Sequence, residues 1–380
     1  MKVYLDNGAT TKVAPEVVKA MIPYFTEQYG NASSLHGFGQ AAKEALDNAR
    51  AVIAKRINAE PEEIIFTSGG TESNNLAIKG IAYAHKDKGN HIITSKIEHP
   101  AVLAACATLE REGFKISYID VDKEGFVKLG QLEKTITDKT ILVTIMHANN
   151  EVGTIEPIKE IGEICKKHKV IFHSDAVQSF TKVPIDIKKI NVDLVSLSSH
   201  KIHGPKGVGA LYIRKGIKIK KLADGGGHEF RIRAGTENIP GIVGFAKAVE
   251  LVKEKDIQHM TKLRDTLIAE LLAIPHTQLN GSKKERLCNN VNISFHYIEG
   301  ESLLMSLDDN GIAVSTGSAC SSHSLTPSHV LMALGLKAEI AHGSIRFTLS
   351  KYTTEKEINY TIKIVKEVVE KLRKFSPLAR

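Results

Sequence analysis

Residues 196–210 read SLSSHKIHGPKGVGA and place Lys201 directly after an apolar run, Asp193-Leu-Val-Ser-Leu, that reads as a buried strand. An amine at a strand end can be a solvated cation, a phosphate ligand or a nucleophile, and this stretch alone leaves all three open. Other strand-like runs also end on polar groups. EIIFTS runs into GGTESNN, where Gly69 and Gly70 let backbone N–H groups approach an anion and Thr71 adds a hydroxyl at a helix start. HIITS leads to His99 at another helix start, and TILVTIM leads to Asn149 and Asn150. VIFHSD ends on Asp175, with Gln178 three residues later. Any one of these reads equally well as a cap, a turn or a satisfied core group. Together they surround the lysine.

One chemistry needs this set. In pyridoxal phosphate catalysis a lysine amine forms a Schiff base, a carboxylate keeps the pyridine nitrogen protonated, and a cup of donors holds the phosphate. The glycine turn matches neither G-x-G-x-x-G nor the P-loop, which argues against a classical dinucleotide or triphosphate site. Four cysteines, Cys106, Cys165, Cys288 and Cys320, stand far apart without a C-x-x-C pair, so neither a zinc site nor a disulfide framework is expected. Cys106 and Cys165 fall among apolar neighbours on helical patterns, the usual setting of a core thiol. Cys320 instead lies in the small, polar run STGSACSSH, where a thiol is exposed rather than packed.

The elements that must carry these groups alternate. Between about residues 60 and 215, β-rich runs alternate with helix-length segments such as TESNNLAIKGIAYAHK, HPAVLAACATLERE and IKEIGEICKKHK, which predicts an α/β fold with a mostly parallel sheet covered on both faces. Ligands in such sheets bind beyond the carboxyl ends of the strands. Residues 241–273 read as one long helix, and beyond it VNISFH, ESLLMSLDDNG, SIRFTLS and a final amphipathic helix predict a second, smaller α+β domain. The expected division is 12–255 for the large domain, with 1–11 and 256–380 forming the small one. The closing SPLAR reads as a loose tail.

The chain of 380 residues has 42% hydrophobic and 25% charged residues and a formal charge of +8. Its lysines are dispersed, without interleaved aromatics or a nucleic-acid motif, so direct DNA binding is not expected. No apolar run is long enough for a membrane span and MKVYLDNGATT has no signal-peptide core, so the expected location is cytoplasmic.

Nearly end to end, the chain resembles the cysteine desulfurases of the nitrogen-fixation and iron–sulfur-assembly type, within the class V, fold type I group of pyridoxal-phosphate enzymes. The resemblance is carried, in family order, by YLDNGATT, YGNASSLHGFG, FTSGGTESNN, EHPAV, MHANNEVGTI, SDAVQ, SSHKIHGPKGVG, RAGTEN, STGSACSS and SIRFTLS. It implies that Lys201 is the Schiff-base lysine and that His99 stacks on the pyridine ring and helps to move protons. Asp175 would pair with the ring nitrogen, Gln178 would contact the ring hydroxyl, and Asn150 would sit at the ring edge. Gly70, Thr71, Ser198 and His200 would form the phosphate cup, with Thr236 supplied by the neighbouring subunit of a homodimer. Arg346 would grip the substrate carboxylate through its planar fork, with Asn31 a second candidate for the same work. Cys320 would accept sulfur from L-cysteine as a persulfide and pass it to an iron–sulfur scaffold or another acceptor protein. No resident metal site is implied, although a transient cluster-ligand role stays open to Cys320. His228 and Phe230, in GGGHEFRIRAGTEN, stand where relatives commonly have Gln and Arg. A plain aminotransferase would share the lysine, the acid and the cup but not the thiol, and a non-catalytic scaffold would not need the lysine.

Overall fold

The computed structural model describes residues 1–316 and 327–376. A short strand, β1 (Val3–Tyr4), opens the chain, and seven further strands form the large sheet. They are β2 (Ile64–Thr67), β3 (His91–Ser95), β4 (Lys115–Ile119), β5 (Thr140–Thr144), β6 (Ile171–Asp175), β7 (Leu194–Ser198) and β8 (Gly209–Ile213). The order across the sheet is β2-β8-β7-β6-β5-β3-β4. From β7 to β4 all pairs are parallel, whereas β8 lies antiparallel between β7 and β2. β2 therefore points the same way as β7, and six strands deliver their carboxyl ends to one edge.

Successive strand residues face opposite sides, which explains the near-continuous apolar runs of a sheet buried on both faces. Ile92, Leu142, Leu194 and Leu211 pack under the helices Gly70–His85 and Pro100–Arg111. Their neighbours Ile93, Val143, Val195 and Ala210 face the helices Gly37–Arg56, Ile158–His168 and Ile239–Glu250. Of these, Gly70–His85, Pro100–Arg111 and Ile158–His168 are the alternating segments expected from the sequence.

The predicted single helix over 241–273 is a correction. It is two helices, Ile239–Glu250 and Glu254–Leu272, separated by Leu251–Lys253 with Lys253 extended. The apolar positions keep nearly the same phase through the break, so periodicity alone reads them as one. The halves serve different cores: Ile242, Phe245 and Val249 pack into the large one, and Leu263, Leu267 and Leu271 into the small one.

That second core is built on β9 (Thr277–Leu279), β10 (Asn290–Phe295), β12 (Ser315–Thr316) and β13 (Ser344–Thr348), antiparallel in the order β12-β13-β10-β9. Just before β12, β11 (Ile312–Ala313) pairs in parallel with β1, and Asp6 bridges to Thr348. The chain's start is thereby stitched to its end, with Val3 and Leu5 in the same cluster as Ile293, Phe347 and Val365. The last helix, Glu355–Phe375, is amphipathic as expected and starts on a reciprocal Thr354–Glu357 capping box. Most of the expected tail, residues 377–380, lies outside the described residues. No helix among the described residues is long and apolar enough to cross a membrane.

Candidate active site

A cavity of about 290 Å³ opens at the carboxyl edge of the large sheet. Its lining includes Gly70, Thr71, His99, Asn150, Asp175, Gln178, Ser198, His200, Lys201 and Arg346, ten of the predicted site residues. Lys201 ends a 3-10 turn that follows β7 directly, so the strand fixes where its backbone stands. Its Nζ donates to the carbonyl oxygens of Gly8 at 2.5 Å and Ala9 at 2.8 Å. Gln178 Nε2 donates to the same Gly8 oxygen at 3.0 Å. The turn at residues 6–9 thus joins two strand-end side chains.

Asp175 closes β6 and is 5% exposed. Asn74 Nδ2 donates to its Oδ2 at 2.6 Å and the Val177 N–H to its Oδ1 at 2.9 Å, so both oxygens are oriented within the cavity wall. Asn74 was missed from the sequence, although it lies three residues after Thr71, on the same face of one helix. That helix begins at Gly70 after Gly69, whose φ of +151° suits glycine. A Cβ at Gly70 would come within 2.6 Å of Val177 Cγ2, so the close approach also requires its absence. Ser198 Oγ is buried on the cavity wall with no partner. His200 Nδ1 lies 3.2 Å from Thr10 Oγ1. Burial, then the positive charge of Lys201, pushes His200 down to about 4, so its ring is neutral.

His99 caps the helix Pro100–Arg111, its Nδ1 accepting the Ala101 N–H at 3.1 Å. That bond assigns the neutral ring's proton to Nε2. Burial lowers the His99 pKa; Asp175 opposes the shift, and Lys201 and His329 add to it. Beneath it Glu98 is fully buried, accepting from Ser95 Oγ at 2.6 Å and the Met146 N–H at 3.0 Å. Burial pushes Glu98 up to about 8, so it is a neutral acid tying the loop after β3 to the loop after β5.

Arg346, on β13, reaches the cavity from the small core. Its Nη1 donates to Asn150 O at 2.9 Å and its Nη2 contacts Asp6 Oδ1 at 3.1 Å, while Nε is buried with no partner. Sequence reasoning missed Asp6 as well, since nothing in the pattern brings residues 340 positions apart together.

Two predicted residues stand elsewhere, and a third is not among the described residues. Asn31 is exposed in a loop, its Oδ1 accepting the Ser33 N–H at 2.9 Å, and does not line the cavity. Thr236 lines a separate, small pocket with Thr67, Ser68 and Arg233. Cys320 lies outside the described residues. The unusual Phe230 stacks on the Arg50 guanidinium at 4.9 Å, and Arg50 forms a buried two-point pair with Glu229 at 2.7 and 2.8 Å.

The family profile described as aminotransferase class-V matches residues 3–361. The chain belongs to that family. Among class-V relatives, it is 57% identical to the cysteine desulfurase IscS of Methanosarcina thermophila, over 99% of this chain and 94% of that one. It is 54% identical to the IscS of Dictyoglomus turgidum, over 99% and 96%. Among solved class-V structures, a NifS-like protein superimposes with a TM-score of 0.93 at 43% identity, over 98% of this chain and 100% of that one. A structure of SspA in complex with cysteine gives 0.84 at 38%, over 93% and 100%. The fold is therefore that of the pyridoxal-phosphate enzymes of type I, and the family's cofactor is pyridoxal 5'-phosphate. The donor set fits it: an amine, an oriented carboxylate, an orphaned buried hydroxyl and a glycine-opened helix start converge on one cavity.

Proposed function

We propose that this class-V protein is a cysteine desulfurase that converts L-cysteine to L-alanine and leaves the sulfur as a persulfide on Cys320. The observation that carries the reading is a single cavity shared by Lys201, Asp175 and Arg346: an amine, an acid and a carboxylate clamp. Full-length similarity to proteins named cysteine desulfurase supports the substrate.

Gly70, Thr71, Ser198 and His200 would hold the phosphate of pyridoxal phosphate, Asp175 its ring nitrogen, and Gln178 and Asn150 its edge. Bound there, the cofactor supplies an electron sink that acidifies the substrate's Cα–H. Arg346 fixes the substrate carboxylate. Lys201 Nζ, held near the Gly8 and Ala9 carbonyls, would be the base that takes the Cα proton. His99, whose Nδ1 is taken by the Ala101 N–H, would offer its Nε2–H to the bound cofactor. In the net reaction the substrate C–S bond breaks, carbon gains hydrogen, and the two sulfurs join, so L-cysteine and a thiol become L-alanine and a persulfide. No external oxidant is needed.

The finer readings belong to the same proposal. The enzyme works as a cytoplasmic homodimer in which Thr236 completes the partner's phosphate cup. Residues 12–255 form the large domain, and 1–11 with 256–380 the small one. The sulfur goes on to iron–sulfur cluster assembly or another thiolation. The test is sulfide release from L-cysteine under reducing conditions, with wild type, Lys201→Ala and Cys320→Ser. The reading predicts activity in wild type alone, together with loss of the bound cofactor's visible colour in Lys201→Ala only. Full activity in Cys320→Ser would remove the thiol from the mechanism.

A further inference from the structure

Arg346 is not an open clamp. A guanidinium has five N–H donors, and here Nη1 is held by Asn150 O and Nη2 by Asp6, while Nε is buried without an acceptor. The Arg346 side chain is 3% exposed and that of Asp6 20%. A charge this deeply buried needs a counter-charge, and Asp6 supplies one before any substrate arrives. Asp6 is itself shared. Ser315 Oγ donates to the same Oδ1 at 2.8 Å, and Ser315 and Arg346 are cross-strand partners of β12 and β13. Glu151 is the second carboxyl close enough to feel Arg346, but it is fully buried, bonded to Ser328 Oγ and pushed up to about 7. Of the two, Asp6 is the carboxyl that contacts the Arg346 guanidinium directly.

We infer that Asp6 is a resident competitor for Arg346, weakening the clamp's hold on the α-carboxylate of substrate and product alike. This rests on the reading of Arg346 as the carboxylate clamp. Substrate and product differ only at the β-carbon, so an internal carboxylate offsets part of the clamp's attraction equally for both. It thereby favours release of L-alanine at the expense of affinity for L-cysteine. Asp6→Asn keeps an acceptor oxygen for Nη2 and removes the charge. Ser315→Ala removes the hydroxyl that shares Oδ1, leaving Asp6 to pair more fully with Arg346. The two substitutions act in opposite directions.

The experiment is calorimetric titration of the holoenzyme with L-alanine, with ethylamine (alanine without its carboxylate) as the control ligand, alongside KM for L-cysteine. Asp6→Asn is expected to tighten L-alanine and lower KM by about three- to tenfold, the scale of one partly screened charge. Ser315→Ala is expected to loosen both, and ethylamine to stay unchanged in each variant. Weaker or unchanged L-alanine binding in Asp6→Asn would overturn the inference, leaving Asp6 as a support that only orients Arg346. Should Asp6→Asn fail to retain the cofactor's colour, Ser315→Ala decides alone, and tighter or unchanged binding there overturns it. Arg346→Lys separates the two levels. Unchanged L-alanine affinity in that variant defeats the clamp reading itself, whereas weakened affinity without tightening in Asp6→Asn defeats only the role of Asp6.

Discussion

That Lys201, Asp175 and His99 share one cavity could be read from the sequence because each ends or follows a strand visible in the residue pattern. Asn74 and Asp6 could not. Asn74 acts through Asp175, and Asp6 meets Arg346 only once the segment after β1 bridges to Thr348 of β13. Removing the Asn74 amide strips Asp175 Oδ2 of its short donor, at a cost of about 1–3 kcal/mol. We predict that Asn74→Ala loses bound cofactor on dilution faster than wild type, followed by visible absorbance; equal retention would contradict the orienting role. Glu98 gives a prediction in pH. Its carboxyl is raised from 4.5 to about 8 by burial, so between those values the folded chain holds a proton that the unfolded chain has lost. Stability therefore falls as pH rises through that window, by up to about 1.4 kcal/mol per pH unit for this one group. Glu98→Gln removes the proton exchange, and its unfolding free energy should decline less steeply than that of wild type from pH 4.5 to 8. Parallel curves in chemical denaturation would rule this out.

The strands and helices of the large sheet were readable because alternation and length agree, whereas their order, with β8 antiparallel between β7 and β2, had no local signal. The division at Leu251–Lys253 was not readable either, because no glycine or proline marks it and both halves share one apolar phase. Tertiary packing into two cores decides it. The edge that carries the proposed phosphate cup depends on a close backbone approach that the residue pattern hides. A Cβ at Gly209, the first residue of β8, would lie 2.6 Å from Leu197 O and 2.7 Å from Gly69 Cα, and backbone cannot move aside as a side chain can. Gly209→Ala should push β8 away from the turn that opens the cup. The expected cost is about 1–3 kcal/mol of stability by calorimetry, with weaker cofactor retention. A variant with unchanged melting temperature and colour would show that the turn tolerates the shift.

Across the whole molecule, the site lies where two cores meet. The large core supplies the lysine, the acid and the cup, while the small core brings Arg346 on β13 and the turn at residues 6–9. The α/β character and the smaller second unit were legible from the change of pattern near residue 273, but the union of β1 with β11 had no local signal. Thr236 lines a pocket apart from the cavity, and in the proposed dimer it would serve the second copy. We predict a dimer by sedimentation, with Thr236→Ala weakening cofactor retention without dissociating it. The central claim is tested most directly by mixing holoenzyme with an equimolar amount of L-cysteine without reductant, then measuring L-alanine and mapping the added sulfur by peptide mass spectrometry. The account predicts one L-alanine for each persulfide, with the sulfur on Cys320. Sulfur on the buried Cys106, Cys165 or Cys288, or L-alanine formed with no persulfide at all, would contradict it.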